Sequence, residues 1–373
     1  MITLDAAQTA AVNKLLAGPV IDARLELTSM LGGETLGSLT PSAGKVTWDG
    51  SERRGRLDVD APTDGTAINP RHPLANFGQV LVANWVWPEI GVSVPCGRWL
   101  VAEPASRDGM LWQVAADPEG PARLARAGWW TPDGQVVSGT MAQQLNSMLG
   151  FARVTWVPTG AFGDRTVPAT ECAAGTSVLG DVAKVMDHAG VEMRPSRHTA
   201  GVEIFQPYAT PGPPVWTWTA GTVLVSKVEG TPAPELAPNR VTVWCEEDIG
   251  GVRTVTGWSE PLYHGPRRWD GPYGQVPHVV KLDSPATADA MRNQARRTLR
   301  RLQESAATVR VVMRADPRVE FGDIARAINT EDGTDCLCRV TSVSLDAGTG
   351  QGVVEASVIS GLVAGVPAAT IES

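Results

Sequence analysis

A mostly β fold with a few helices is predicted by three features of this sequence. Apolar residues recur with a period of two along many segments, whereas segments with a helical period are few and short. The 39 Gly and 28 Pro supply turn residues between those segments. With 373 residues, 43% of them apolar, the chain can build real cores, and at roughly 150 residues per domain it is expected to form two or three.

Charge and cysteine usage exclude several classes of protein. The net charge of −8 gives no overall positive field, which argues against nonspecific binding to nucleic acid or anionic lipid. The five cysteines are an odd number and widely scattered, which favours free buried thiols over a disulfide framework. Arg outnumbers Lys 27 to 5, a bias typical of a high-GC genome.

The N-terminus does not resemble a signal peptide, because MITLDAAQTAAV carries an acidic residue where basic ones are expected. No run of about 18 apolar residues is present. The sequence therefore predicts a soluble chain without stable membrane association, made in a cytoplasm.

Residues 1–20 are predicted to form an N-terminal helical arm. Asp5 and Gln8 have capping-box spacing, and Gly18-Pro19 ends the helix. Residues 21–120 follow as a first β domain, a small barrel or sandwich. Its predicted strands are ARLELTS, KVTW, GRLDVDA, QVLVANWVW, GRWLVAE and MLWQVAA.

Residues 121–210 are predicted to form a small α+β domain. One helix begins at Thr140, which pairs with Gln143 as a capping box, and a second runs from Ser177 to Gly190. The segments GVEMRP and GVEIFQP then form a hairpin.

A Pro-rich linker is predicted at 211–222, followed by a second β domain at 223–362 and a C-terminal tail at 363–373. The second β domain carries an inserted amphipathic helix at 286–307, with an apolar stripe on one face and five arginines elsewhere.

The segment DPRVEFGDIARAI, residues 316–328, places three carboxylates within eight residues. Pro317 suits an entry turn, Val319 and Phe321 alternate with polar residues, and Gly322-Asp323 is typical of a tight bend. A bend in a strand therefore explains this segment better than a catalytic site does.

No catalytic, cofactor or metal site is predicted. Cys336 and Cys338 face the same way on a strand, but no second Cys pair or nearby His completes a metal site. GTGQG at 348–352 opens onto a strand and is a hairpin turn, not a phosphate loop. Ser-His and Cys-His nucleophile pairs would be distant in the sequence, and the chain contains no GxSxG motif to support such a pair.

Tryptophan and arginine supply the candidate interface residues. The 13 Trp outnumber the 5 Phe and 3 Tyr, and Trp pairs two apart on a strand share a face, so they form either platforms or core layers. The arginine run on the predicted helix favours a solvated or subunit-facing stripe over a DNA-reading one. The candidates are Trp85, Trp87, Trp216, Trp218, Arg292, Arg296 and Arg300.

The order of these parts resembles the tail hub proteins of tailed bacteriophages, particularly minor tail proteins of actinobacterial phages. GRWLVAE, the turn at 107–109 and MLWQVAAD leading into PARLARAGW resemble their first domain, and TSVLGDVAKVMDHAGVEMRPSRHTAGVEIFQP resembles their small α/β domain. The helix at 286–307 with TVRVVMR, DPRVEFGDIARA, LCRVTSVSLD and GVVEASVI resembles their second tube-like barrel.

This resemblance implies two tube-like β-barrels flanking a small α/β domain, in a structural protein without enzymatic activity. It implies a homotrimeric ring at the tail tip of a virion, docked on a hexameric tail tube or distal tail protein and presenting threefold symmetry to a spike or fibre. The tape-measure protein and genomic DNA would pass through its centre without specific binding. The chain ends soon after its last strand, so any lytic activity is expected to belong to a partner.

Two alternatives remain open at this stage. A Trp-rich receptor-binding tail component would use exposed Trp85 or Trp218 to stack on carbohydrate. A cell-wall hydrolase would need a catalytic role for one of the scattered His residues.

Overall fold

The computed structural model describes residues 4–18, 23–50, 54–62, 71–75, 78–103, 105–108, 111–131, 134–160, 163–206, 212–232, 237–249, 252–265, 267–282, 288–304 and 306–368. The fold within these ranges is mostly β, as the sequence predicts. None of the helices in this part of the chain is long and apolar enough to cross a membrane.

In the first part of the chain, the described residues form one α-helix followed by eight strands, with a short 3-10 helix at Pro88–Ile90 between β5 and β6. The capping box at Asp5 and Gln8 is present at the start of the helix, as predicted. Its C-terminal end is anchored by Arg314, which donates to the carbonyl of Leu16 at 2.9 Å. The elements are α1 (Ala6–Leu16), β1 (Arg24–Leu31), β2 (Glu34–Leu39), β3 (Ala43–Asp49), β4 (Arg56–Pro62), β5 (Val80–Trp87), β6 (Val92–Val101), β7 (Ser106–Asp108) and β8 (Leu111–Pro118).

The middle part, residues 119–206, is called the middle unit below. Both predicted helices are present, with a capping box at Thr140 and a left-handed Gly190 as the C-terminal stop. The predicted hairpin is also confirmed, since β12 and β13 pair antiparallel. The elements are α2 (Glu119–Arg126), β9 (Gln135–Val137), α3 (Met141–Phe151), β10 (Trp156–Thr159), β11 (Thr170–Cys172), α4 (Val178–Ala189), β12 (Glu192–Pro195) and β13 (Val202–Phe205).

Within the described residues, the last part of the chain forms ten strands and one helix. Within the predicted linker at 211–222, residues 216–219 form a strand that pairs in parallel with residues 325–328. The elements are β14 (Trp216–Thr219), β15 (Val225–Thr231), β16 (Arg240–Ile249), β17 (Val252–Pro261), β18 (Pro277–Leu282), α5 (Ala288–Glu304), β19 (Thr308–Arg314), β20 (Ile324–Asn329), β21 (Thr334–Asp346), β22 (Gln351–Val363) and β23 (Val366–Pro367).

Strands from both predicted β domains lie in one 15-stranded sheet, called the large sheet below. Its main path runs β15-β19-β22-β21-β3-β4-β8-β6-β5-β1-β2. The two halves are joined where β21 pairs antiparallel with β3, from Ser342 opposite Asp49 to Asp346 opposite Lys45. No sheet of the described residues is closed into a barrel, so the predicted two-barrel layout is not confirmed.

The described residues form three larger apolar cores and one small cluster, in which Val80 and Leu100 of the large sheet pack with Ala122 of α2. The largest follows the large sheet and includes Trp48, Trp85 and Val311. The middle unit has its own core, around Leu145. A third core, around Met291, lies between α5 and a separate three-stranded sheet of order β17-β16-β18.

All five cysteines are free and buried, as predicted. The GTGQG segment forms the turn between β21 and β22, where the carboxylate of Asp346 accepts from the backbone of Gly348 and Thr349 at 2.8 and 3.0 Å. This agrees with a hairpin turn and not with a phosphate loop.

Candidate functional site

The segment DPRVEFGD lies at the junction between the large sheet and the middle unit. It is a loop of successive turns, and strand β20 begins only at Ile324. The prediction that Val319 and Phe321 belong to a strand is therefore wrong. Gly322 has φ +89°, a left-handed conformation that places the bend immediately before the strand.

Two arginines of the β12–β13 hairpin hold this loop by its backbone. Arg197 donates to the carbonyl of Pro317 and, at 2.7 Å, to that of Val319. Arg194 donates to the carbonyl of Phe321 at 2.8 Å. Because buried carbonyls must be paired, these contacts satisfy the loop carbonyls that lie outside the sheet, whereas Gly322 and Asp323 form backbone hydrogen bonds with Val340 of β21.

Glu320 supplies the counter-charge for both guanidinium groups. Its carboxylate lies 3.7 Å from Arg194 and 3.9 Å from Arg197. Burial alone would raise the pKa of Glu320, but the attraction of Arg197 and Arg194 outweighs it and lowers that pKa to about 2. Burial lowers the pKa of Arg197, whose side chain is 5% exposed.

The other two carboxylates of the loop are bound locally. Asp316 and Arg318 form a buried bidentate pair with N···O distances of 2.8 and 2.6 Å. Asp323 accepts the indole N–H of Trp216 at 2.8 Å and the backbone N–H of Glu320 at 3.1 Å. All three acids therefore form structural contacts, and the geometry is that of a joint between parts of the chain.

Aromatic contacts extend this joint. The guanidinium of Arg197 lies over the ring of Trp48, and Phe205 packs edge-to-face on Phe321 with ring centroids 6.0 Å apart. A Cβ added at Gly322 would come within 3.2 Å of the Phe205 ring, so glycine at this position permits close packing as well as the bend.

Three of the four candidate tryptophans lie in the core of the large sheet. Trp85, Trp87 and Trp218 are 1%, 0% and 2% exposed, so their rings offer no surface to a sugar or a neighbouring subunit in this fold. Trp216 is half-buried and anchors Asp323. The Trp pairs were predicted to form either surface platforms or core layers, and in this fold they form core layers.

The candidate arginines lie along α5. Arg292 lies over the ring of Trp258 and pairs with Asp289, and Arg296 pairs with Glu260 at 2.9 Å. Arg300 is half-buried. The structure thus places Arg292 and Arg296 in contacts within the chain, while the side chain of Arg296 keeps 55% of its surface exposed.

Sequence reasoning misses Arg194, Arg197 and Arg297, which are among the residues that make polar contacts between the parts of the molecule. Their partners lie more than a hundred positions away, and most are backbone carbonyls. No local motif marks such an arginine. Among the described residues, no group of three or more His, Cys, Asp or Glu side chains could hold a metal ion.

Comparison with solved structures shows the class of fold. This chain is similar to the 43 kDa tail protein of prophage MuSo2 from Shewanella oneidensis, with a TM-score of 0.65 and 14% identity over 90% of this chain and 98% of that one. It is also similar to the tail protein from Neisseria meningitidis MC58, with a TM-score of 0.66 and 11% identity over 90% and 96% of the two chains.

A third similar structure is the prophage tail protein gp18 from Listeria monocytogenes EGD-e, with a TM-score of 0.57 and 11% identity over 90% and 94% of the two chains. No protein-family model matches this sequence, and no curated protein matches it. The chain therefore has a fold found in prophage tail proteins, at identities that show the fold alone.

Proposed function

We propose that this chain is a structural component of a phage tail and forms the hub at its distal end. The observation that supports this proposal is the extent of the similarity, since 90% of the chain matches 96% to 98% of two tail proteins. Because the structural similarity extends over nearly the full length of both compared chains, it concerns the whole architecture and not one shared domain. The further proposal that the chain resembles the minor tail proteins of actinobacterial phages rests on the sequence resemblance alone.

The proposed assembly is a homotrimeric ring. The large sheet has two halves, joined at β3 and β21, and in this proposal each half would take the place of one of the tube-like barrels that the resemblance implies. Three chains would present six such halves to a hexameric tail tube or distal tail protein. The opposite side of the ring would present threefold symmetry to a spike or fibre.

The centre of the ring is proposed as the channel for the tape-measure protein and for DNA during ejection. A net charge of −8 per chain would keep DNA from binding to the channel wall. The protein would act at the virion tail tip, by assembly and not by catalysis. The arginine-bound carboxylates of the 316–323 loop fit such a structural role, since they are engaged in ion pairs and hydrogen bonds.

Native mass spectrometry of the purified chain over a concentration series tests the ring. The expected species is a trimer of the 39.5 kDa chain, and addition of the tail-tube protein of the same phage should give a complex of one trimer with one tube hexamer. A chain that stays monomeric both alone and with the tube protein would contradict the hub. The same measurement on a charge-reversed variant, R296E, then tests whether α5 faces a neighbouring subunit. Loss of the trimer in R296E would indicate that it does.

A further inference from the structure

The loop that joins β17 to β18, residues 262–276, contains an arginine that is buried without a counter-charge. Arg267 is 8% exposed. Within the part of the chain that the structure describes, its guanidinium has no hydrogen bond and no carboxylate partner, and it lies over the ring of Tyr273, 5.7 Å from the ring centroid. Burial lowers the pKa of Arg267, and no described carboxylate offsets that effect. A buried charge is costly unless it is paired, so this guanidinium calls for an anion from outside the described chain.

The position of Arg267 is fixed by Asn239, which precedes β16 and is fully buried. The side-chain amide of Asn239 donates to the carbonyls of Arg267 and Gly274 at 3.0 and 2.7 Å. Its side-chain oxygen accepts the backbone N–H of Val276 at 2.9 Å, and its backbone carbonyl accepts that of Leu262 at 2.8 Å. Asn239 thus holds the middle and both ends of the 262–276 loop, so Arg267 is preorganised before any ligand arrives.

The aromatic ring beside Arg267 is also held in place. The hydroxyl of Tyr273 donates to the carbonyl of Ala237 at 3.1 Å. A guanidinium that lies over an aromatic ring still has its N–H groups free to bind a second partner. The nitrogens of Arg267 are not fully enclosed, so a group from solution or from another protein can reach them.

The charges around this loop favour an anion. Arg268 forms an exposed ion pair with Asp270 at 3.2 Å. Arg240, at the start of β16, lies over the ring of Trp269 at 4.8 Å from its centroid. The described part of the loop together with Arg240 therefore carries three guanidinium groups and one carboxylate. This gives a local positive field in a chain whose net charge is −8.

We propose that the 262–276 loop is a binding site for an oxyanion, which the guanidinium of Arg267 binds beside Tyr273. A planar guanidinium donates two parallel hydrogen bonds to a carboxylate or to a phosphate, so these groups share the chemistry that the site recognises. The source of the oxyanion is either free phosphate or the carboxylate of an acidic side chain from another protein. The proposal does not depend on the hub assignment.

Thermal unfolding of the full chain at constant ionic strength tests this site. Midpoints are compared in sodium chloride and after replacement of part of the chloride by inorganic phosphate or by acetate. An anion that binds only the folded chain should raise the midpoint of the parent by about 2–5 °C at ten times its dissociation constant. In R267M, which keeps the stem and removes the donors, this rise should disappear.

The two anions distinguish the two sources. A rise with phosphate alone would support a site for free phosphate. A rise with acetate as well would support a site for a carboxylate, which an Asp or Glu side chain of another protein can supply.

The matched control is R268M on the adjacent residue, which removes the exposed ion pair with Asp270 and should keep the full rise. R267K keeps the charge but loses the fork of donors, so it should show a smaller rise, and it serves as the test if R267M does not fold. A parent that responds to neither anion, a rise of undiminished size in the Arg267 variants, or a rise that R268M abolishes equally would overturn the site.

Discussion

The guanidinium carbon of Arg197 lies 3.8 Å from the centroid of the Trp48 ring. Trp48 belongs to β3 of the large sheet, whereas Arg197 lies two residues after the end of β12 in the middle unit. The same guanidinium donates to two carbonyls of the 316–323 loop. A single arginine therefore links three segments that lie far apart in the sequence.

Replacement of Arg197 should destabilise the whole fold. In R197M the carbonyls of Pro317 and Val319 lose their donors and Glu320 loses a nearby cation, so we expect a loss of about 2–4 kcal/mol in the free energy of unfolding. Urea denaturation followed by Trp fluorescence measures it. R326M, which removes an exposed ion pair with Asp335, is the control and should leave the midpoint unchanged.

Acid should weaken the same junction through Glu320. Its pKa lies at about 2 in the folded chain, below the ordinary value of 4.5, so the ionised carboxylate stabilises the fold above about pH 4.5. That contribution is lost as the pH falls from about 4.5 toward 2. Urea midpoints at about pH 7 and about pH 3 should therefore differ less in E320Q than in the parent. An equal difference in both proteins would show that other carboxylates carry the acid response.

Two glycine substitutions should have opposite effects. G190A places a Cβ on a left-handed residue and against Arg297, so we expect a loss of about 1–2 kcal/mol. G150A lies within α3 with nothing within 4 Å of the added Cβ, and should stabilise by about 0.5–1 kcal/mol. Thermal unfolding of the two variants gives the comparison, and the same sign for both would contradict the local geometry.

Trp85 should matter for stability and not for carbohydrate binding. Its ring is buried in the core of the large sheet, so W85A should cost about 3–5 kcal/mol of unfolding free energy. Chemical denaturation measures this loss, and a glycan array tests the rival function with the parent chain. Glycan binding by the parent that W85A abolishes without loss of stability would favour the receptor-binding alternative.

Short-range sequence signals, such as helix caps and helix stops, correctly predict the helices in which they occur. The caps at Asp5 and Thr140 and the stop at Gly190 are short-range features, and α1, α3 and α4 are found where these features place them. Helix α2 is not predicted, because EGPARLAR is short and has Gly and Pro within its first turn.

Long-range relationships are not predictable in this way. The alternation along KVTW predicts a strand, but nothing in it identifies β21 as its neighbour. The same holds for the junction, where Arg194 and Arg197 lie beside a hairpin that the sequence does predict. Their carbonyl partners depend on how the middle unit is placed against the loop at 316–323, and single-sequence patterns carry no information on that placement.

The pairing of β3 with β21 also has a consequence for biosynthesis. Thr47 and Ser344, which face each other across it with hydroxyl oxygens 3.4 Å apart, are 297 positions apart in the chain. While the ribosome makes the intervening residues, one edge of β3 has no partner strand. The large sheet is therefore completed only after nearly the whole chain has emerged, which predicts slow, largely post-translational folding and a nascent chain that depends on chaperones to shield that edge.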